Sequence, residues 1–407
     1  MPGPTAETIV VGGGPAGLTA AIALAGAGVE VALVRKSAAA VDHRTTALLA
    51  SSVTALDLIG VWRRCADNAA PLRTMRIIDD TARLLRAPEV CFSAGEIGLD
   101  AFGHNIENRF LLDALDARAR ELPALRLIDD EADAVEIGET RVTVALKGGG
   151  TLSAPLAIGA DGRSSRCRAA AGITSEARSY PQTALTCNLR HSRPHHDTST
   201  EFHTATGPFT LVPLARFQVE CAPGRRSSLV FVVEPGEVDA LCALPDRELA
   251  AEIERRSHSI LGKIELEPGR GRFPLAVETA ARLGAGRVAL IGEAAHVLPP
   301  IGAQGLNLGL RDAACIAELI VAARRNGGDL AEVSARYDDM RRADVAIRSL
   351  AVDLLNRSLL SDILAVQGAR GFSLFLLQRF APLRRAVMRE GVAPLASQPR
   401  LMRGEPL

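Results

Sequence analysis

The chain opens on an apolar, β-branched run at Thr8–Val11. A glycine cluster, an Ala/Leu-rich stretch over Ala16–Ala27, a turn at Gly28 and a second apolar run at Glu30–Val34 follow. Runs that stay hydrophobic without alternation suit parallel strands buried on both faces, and the stretch between them combines helix formers with small residues, so the opening predicts a β-α-β unit. Helical spacing is read over Thr45–Cys65 and again over Asn108–Leu122, where Leu111, Leu112, Leu115 and Leu122 are the apolar positions. Between Arg73 and Ile97 short alternating segments, Met75–Ile77 and Arg83–Arg86, predict a hairpin that leaves the first domain. Strands are expected at Leu125–Ile128, Ala134–Ile137, Val142–Leu146 and Leu156–Ile158, with Gly148–Gly150 at a hairpin tip.

From Ser179 to Phe273 strand signals dominate. Turn residues stand at Gly207-Pro208, Pro223-Gly224 and Pro235-Gly236, and one helix is read at Pro245–Ser257, the pattern of a mixed α+β domain with an antiparallel sheet. A buried-strand run returns at Val288–Ile291, before a glycine-rich turn and a helix over Gly305–Arg324. The first domain therefore resumes near Leu275 and is discontinuous in sequence. Val345–Val392 reads as helices, apolar on one side, with Arg357, Arg370, Arg379, Arg384, Arg385 and Arg389 interspersed. The expected division is residues 1–72, 98–178 and 274–344 for the first domain, 73–97 and 179–273 for the second, and 345–407 for a helical C-terminal region.

Composition narrows the function. At 407 residues the chain is long enough for two or three domains. Hydrophobic residues make up 47% and mean hydropathy is +0.13, which suits a folded core. With 47 basic and 47 acidic residues the formal charge is zero, and aromatics are only 3%, so no basic face with interleaved aromatics is available for nucleic acid. Seven scattered cysteines without a CxxC pair indicate neither a disulfide framework nor a metal site, and fit a reducing cytoplasm. The segment MPGPTAETIV lacks the basic region of a signal peptide, and no apolar run of about 20 residues predicts a spanning helix.

Three glycine-bearing motifs carry the chemistry, and their joint order is far more specific than any one of them. Gly12-Gly13-Gly14-Pro15-Ala16-Gly17 lies between strand and helix. In such a GxGxxG, Gly12 allows the tight turn, Gly14 lets backbone approach a pyrophosphate and Gly17 lets helix touch strand, while the helix N-terminus offers N–H donors to phosphate. The acid expected about 20 residues later is missing, since the second strand ends Val34-Arg35-Lys36; Arg35 is open to a 2′-phosphate reading, as in NADP binding. The second motif, Ile158-Gly159-Ala160-Asp161-Gly162-Arg163, runs from a strand into a turn. Taken alone, its Asp-Gly is a turn signal. The third runs from Val288 through Gly292-Glu293-Ala294-Ala295-His296 to Pro300, Gly302, Gln304, Gly305, Leu306 and Asn307. Its strand delivers one carboxylate to a sheet edge, suited to ribityl or ribose hydroxyls. The loop behind lets main-chain N–H groups approach a flat ring and opens another helix N-terminus.

At these residues the sequence resembles the flavin-dependent aromatic hydroxylases of the para-hydroxybenzoate hydroxylase fold, which carry the GxGxxG, DG and GD motifs in this order. The resemblance covers residues 6 to about 395. Within that superfamily it looks most like the ubiquinone-biosynthesis hydroxylases, on Asp42-His43-Arg44, Asn105–Arg109, Gly292–Asn307, Leu355–Arg357 and Pro382–Arg389. Three departures stand out: Arg35 where the family usually has Glu, Glu293 where it has Asp, and Gly302-Ala303 where Ala-Gly is commoner. The resemblance implies an α/β fold, with a discontinuous Rossmann-like FAD-binding domain, an inserted α+β substrate domain and a helical tail. It further implies that Gly12, Gly14 and Gly17 bind the FAD pyrophosphate and that Arg44 contacts the phosphate or adenosine side. Asn108 and Pro300 join the cofactor-binding set, Asp161 and Gly162 support the cofactor, Glu293 meets the ribityl chain, and Gly302–Asn307 lie against the isoalloxazine. Read without the family, Arg44 is a solvated helix cap.

The activity so implied is FAD-dependent monooxygenation: NAD(P)H or another donor reduces the flavin, O2 adds at C4a, and the hydroperoxide passes one oxygen atom to an electron-rich ring carbon. The expected substrate is a polyprenylated phenol or quinol precursor of ubiquinone. The expected setting is cytoplasmic, with peripheral contact to the inner membrane through the tail and with biosynthetic complex partners. His296 is the one catalytic candidate, against a structural role at a strand–loop junction; His203, His195 and His196 are read as exposed. Competing functions are a flavin-binding accessory subunit that hydroxylates nothing, and a flavin reductase of prenyl chains.

Overall fold

The computed structural model describes residues 6–36, 42–81, 86–216, 222–361, 363–392 and 398–407. The apolar run Thr8–Val11, fully buried, lies inside a six-stranded sheet ordered Gly284–Ala285, Val288–Leu290, Leu156–Gly159, Thr8–Val11, Val31–Arg35 and Leu125–Asp129. All neighbours pair parallel except the short Gly284–Ala285, so both faces of the sheet need cover. Cover comes from helix Pro15–Gly26 with Asn108–Arg120 and Gln304–Arg325, both of which it touches, and from a three-stranded antiparallel sheet, Ala132–Ile137, Val142–Leu146 and Thr151–Ala154, whose Val142, Val144 and Leu152 join the same core. The β-α-β opening thus forms as its pattern predicts, and the discontinuous return at Val288 completes the same sheet.

A second sheet of nine strands is built around Ser175–His191, which pairs antiparallel with Arg226–Val233 on one side and Gly271–Ala280 on the other. Beyond Arg226–Val233 come Pro208–Pro213, Thr198–His203, Thr74–Asp79 and Val90–Ser93. One face carries Leu229 and a run of rings, with Phe209 edge-on to Phe231 at 5.0 Å, and Leu249 and Ile253 of helix Asp246–Arg256 pack on it. A buried ion pair anchors this sheet to the first domain: the Arg226 guanidinium donates to Glu107 and Glu267, each at 2.6 Å. Glu107 ends strand Gly103–Glu107, which pairs with Thr45–Leu49 and Ala69–Pro71.

Four expectations are corrected. Residues Thr45–Leu49 form a strand and only Ala50–Leu58 a helix, because pairing with Gly103–Glu107 overrides the helical spacing. Pro235-Gly236 opens helix Pro235–Ala243 rather than a turn, with proline at the first helical position where its missing N–H costs nothing. Leu244-Pro245 separates it from a second helix, Asp246–Arg256. Leu275 lies within strand Gly271–Ala280 of the nine-stranded sheet, and the parallel sheet resumes at Gly284. The hairpin of Thr74–Asp79 forms with Val90–Ser93; Arg83–Leu85 lie outside the described residues.

The C-terminal region is helical, as expected: Leu330–Leu360, Leu364–Arg379 and Ala381–Val392. The final segment then returns to the first domain, where Leu401 and Met402 are buried in its core. Among the described residues no helix is long and apolar enough to cross a membrane.

Candidate functional site

The three motifs meet at the carboxyl ends of neighbouring strands, where Val11 pairs with Gly159 and Gly159 with Leu290. Gly12 has φ +120°, and a Cβ there would overlap the carbonyl of Ala160 in the second motif. On Gly17 a Cβ would overlap the Gly12 carbonyl, so the helix rests directly on the turn. Gly14 is different: its Cβ would meet nothing within 4 Å, and no side chain caps the helix that starts beside it. The open space and the free N–H groups fit a pyrophosphate. The third motif closes on the first, since a Cβ on Gly292 would lie 3.2 Å from that of Ala16, and one on Gly309 would lie 3.1 Å from the Gly292 Cα.

Asp161 turns inward on its own motif, accepting from Ser165 Oγ at 2.5 Å and from the backbone N–H of Arg166 at 2.7 Å and Cys167 at 3.2 Å. It thereby fixes the turn through Gly162, whose φ is +77°. Arg163 and Glu293 face one another across the second and third motifs at 3.8 Å. Arg35 adjoins the first motif, with its Cβ 2.5 Å from where a Cβ on Gly13 would be. Its guanidinium is held by Asp116 and, at 2.9 Å, by Asp129. Two carboxylates occupy the cation that a 2′-phosphate would need.

Arg44 precedes a strand and is no helix cap. The Asp42 carboxylate accepts from its backbone N–H at 2.9 Å and its guanidinium at 2.8 Å, and from Asn108 Nδ2 at 3.0 Å. Burial opposes the Asp42 charge, but these donors outweigh it and hold the carboxyl at about 2. Asn108 is itself fixed by Thr46 Oγ1 at 2.6 Å and donates its backbone N–H to the Arg44 carbonyl. Arg44 also lies over the Phe273 ring, 5.3 Å from its centroid.

In the third motif Gly302 and Ala303 both adopt left-handed backbone before helix Gln304–Arg325. Asn307 clamps this loop to strand Thr45–Leu49: its Oδ1 accepts from the Leu49 N–H at 2.8 Å, and its Nδ2 donates to the carbonyls of Ala47 and Ala303. Gln304 accepts from Arg348 at 3.1 Å; Gly305 leaves open space, and Leu306 packs on the core. His296 is buried, with Nε2 2.6 Å from Asp312, and Asp312 also accepts from Arg341 at 3.0 Å. Burial works against the Asp312 charge, yet His296 and Arg341 hold its carboxyl below the usual range. His296 thus ties the loop to the helix behind it and does not line the cavity described next.

Between the motifs and the nine-stranded sheet lies a cavity of about 190 Å³. Val230, Phe273 and Leu275 make it apolar; Thr45, Asn188 and Ser228 offer hydroxyl and amide groups; Arg44, Arg163 and Pro300 close the side nearest the motifs. Among the described residues no carboxylate lines it. Burial pushes the Cys187 thiol there up to about 12. Of the residues expected from sequence, Arg44 and Pro300 reach the cavity, whereas Asn188, Ser228 and Phe273 come from strands that carry no motif.

The FAD binding domain family matches residues 5–347. The ubiquinone hydroxylase UbiL of Rhodospirillum rubrum is 35% identical, covering 99% of this chain and 94% of that protein. The 3-demethoxyubiquinol 3-hydroxylase of Escherichia coli is 29% identical over 94% of this chain and 97% of its own length. The p-nitrophenol 4-monooxygenase PnpA of Pseudomonas putida DLL-E4 has the same fold, at a TM-score of 0.75 and 19% identity over 96% of this chain and 98% of that one.

Proposed function

Because the chain belongs to the FAD binding domain family, we propose that it is an FAD-dependent monooxygenase that hydroxylates the aromatic ring of a polyprenylated phenol or quinol precursor of ubiquinone. The observation that carries this reading is the convergence of three motifs beside an apolar cavity, with Gly14 open where a pyrophosphate fits. Gly14 and the helix N-terminus beside it would hold the pyrophosphate, with Gly12 and Gly17 closing the turn behind it; Arg44 would reach the phosphates, Glu293 the ribityl chain, and Gly302–Asn307 the ring system. Bound FAD, reduced by NAD(P)H, supplies the activated oxygen. The chain's own part is to exclude water with Val230, Phe273 and Leu275, and to orient the substrate through Asn188, Ser228 and Thr45. Arg163, which lines the cavity, favours negative charge on a substrate oxygen.

Absorption of the purified protein, with the released cofactor identified by mass, tests the flavin. Incubation with NADPH, air and a 2-polyprenylphenol tests the reaction. A product heavier by one oxygen supports hydroxylation; a product heavier by hydrogens means a prenyl reductase, and bound reducible flavin without substrate-dependent oxygen consumption means an accessory subunit.

The C-terminal helices support peripheral membrane contact. Ile347, Leu350 and Leu354 recur at helical spacing on an exposed face of Leu330–Leu360, and Phe372, Phe375 and Val387 are exposed on the two helices that follow.

A further inference from the structure

We infer that His43 takes the proton of the substrate's phenolic hydroxyl, an assignment that rests on the hydroxylase reading above. Hydroxylation of a phenol is faster from the phenolate, because the deprotonated oxygen pushes electron density onto the ring carbons, so the cavity needs a group that accepts a proton. Four of its lining side chains titrate: His43, Arg44, Arg163 and Cys187. Arginine stays protonated in proteins, and the Cys187 thiol is too weak an acid for its thiolate to be at hand. The imidazole of His43 is the remaining acceptor.

The backbone seats this ring. Asp42 accepts from the Arg44 N–H two residues on, so His43 stands at the tip of a turn that Asn108 pins from the other side. Across from it Gly269, at φ +97°, leaves a space that any side chain would fill: a Cβ there would lie 2.5 Å from His43 Cγ and 2.6 Å from Cδ2. Nε2 is not among the ring atoms nearest the glycine. The ring also reaches solvent, so a proton taken from the cavity has an exit. Around it Asp42 is committed to Arg44, Glu293 to Arg163, Glu267 to Arg226, and Arg270 to Asp246. In the step the O–H bond breaks, its electron pair stays on oxygen, and the proton forms an N–H bond on His43 before passing to water.

The test compares the FAD-loaded wild type with H43Q and H43N, using a 2-prenylphenol. Bound anaerobically at pH 7, the phenol is expected to show a phenolate absorption band in the wild type that both variants lose. In air kcat is expected to fall roughly 100-fold with little change in KM, and a ring-fluorinated, more acidic analogue is expected to restore much of the loss. Variants that keep the phenolate band and the wild-type kcat from pH 6 to 9 would overturn the assignment. A wild type that holds FAD yet neither binds nor oxygenates the phenol would overturn the hydroxylase reading, and is recognised without any variant.

Discussion

Gly12 and Ala160 are joined so tightly that the first and second motifs behave as one turn, with the Ala160 carbonyl occupying the space a side chain at position 12 would take. Gly12→Ala therefore carries both a left-handed backbone and a backbone overlap, and is expected to cost about 3 kcal/mol or more of stability. Gly14 has no such neighbour. Gly14→Val is expected to leave the apoprotein's urea midpoint near the wild type while FAD affinity, followed by flavin fluorescence quenching, drops at least tenfold. Equal loss of stability in both variants would refute this division of labour.

At Gly302-Ala303 the chain places a residue with a Cβ where glycine is favoured. Ala303 has φ +54°, a conformation that disfavours a residue with Cβ by about 1–2 kcal/mol. Ala303→Gly removes that strain but frees the unfolded chain, so a net gain of about 1 kcal/mol is expected, read as a higher urea midpoint at unchanged slope. Gly302→Ala, at φ +63°, is expected to shift the midpoint the other way.

The opening β-α-β and the three motifs are legible in sequence because their signals are local: an uninterrupted apolar run, a small-residue helix and glycines at fixed spacing. Thr45–Leu49 is not, since its strand state is decided by Gly103–Glu107, far along the chain. Proline at 235 fits a turn or a first helical position equally well, and only the packing of Val238 and Leu241 on the large sheet decides. The cavity is the least legible part. Asn188, Ser228 and Phe273 share a wall because the strands of Ser175–His191 bind Arg226–Val233 and Gly271–Ala280 in one register, with Asn188 opposite Ser228. No periodicity within a single strand encodes that alignment. Arg35 shows the reverse case, a visible departure whose consequence, the ion pairs to Asp116 and Asp129, depends on two other elements.

Acid lability is expected from a buried histidine. His191 is 6% exposed, between the Arg193 carbonyl at 2.7 Å and Ser227 Oγ at 2.9 Å. Burial lowers its ordinary value of 6.5 to about 4. As pH falls from 6.5 the unfolded chain binds this proton and the folded chain does not until about 4. The stabilisation is therefore complete above 6.5 and is lost across that window, by about 3 kcal/mol in all. Burial lowers His104 and His195 in the same direction. His191→Gln is expected to be less stable than the wild type at pH 7.5, with the difference narrowing toward pH 4.5. A constant difference across that range would exclude His191 as a source of the acid sensitivity.

Membrane contact depends on how the last helices divide their residues. Leu374 and Met388 are buried against Val90, Phe92 and Phe102, which fixes Leu364–Arg379 and Ala381–Val392 to the protein by one side and turns Phe372, Phe375 and Val387 outward. These two helices carry five arginines and a single acid, Glu390. Arg370 and Arg384 are spent on Asp79 and Glu96, whereas Arg379, Arg385 and Arg389 are exposed beside the outward rings. An apolar face rimmed by cations matches an anionic bilayer surface, where each basic residue adds about 1 kcal/mol. Sedimentation with vesicles containing phosphatidylglycerol is thus expected to bring down the wild type, more at low salt than at high. Burying a phenylalanine yields roughly 2 kcal/mol, so F372D combined with F375D is expected to weaken the partition roughly 100- to 1000-fold, while the variant's flavin spectrum stays that of the wild type. Neutral phosphatidylcholine vesicles separate the two contributions: retained binding there assigns the contact to the rings, and loss of binding assigns a decisive share to Arg379, Arg385 and Arg389.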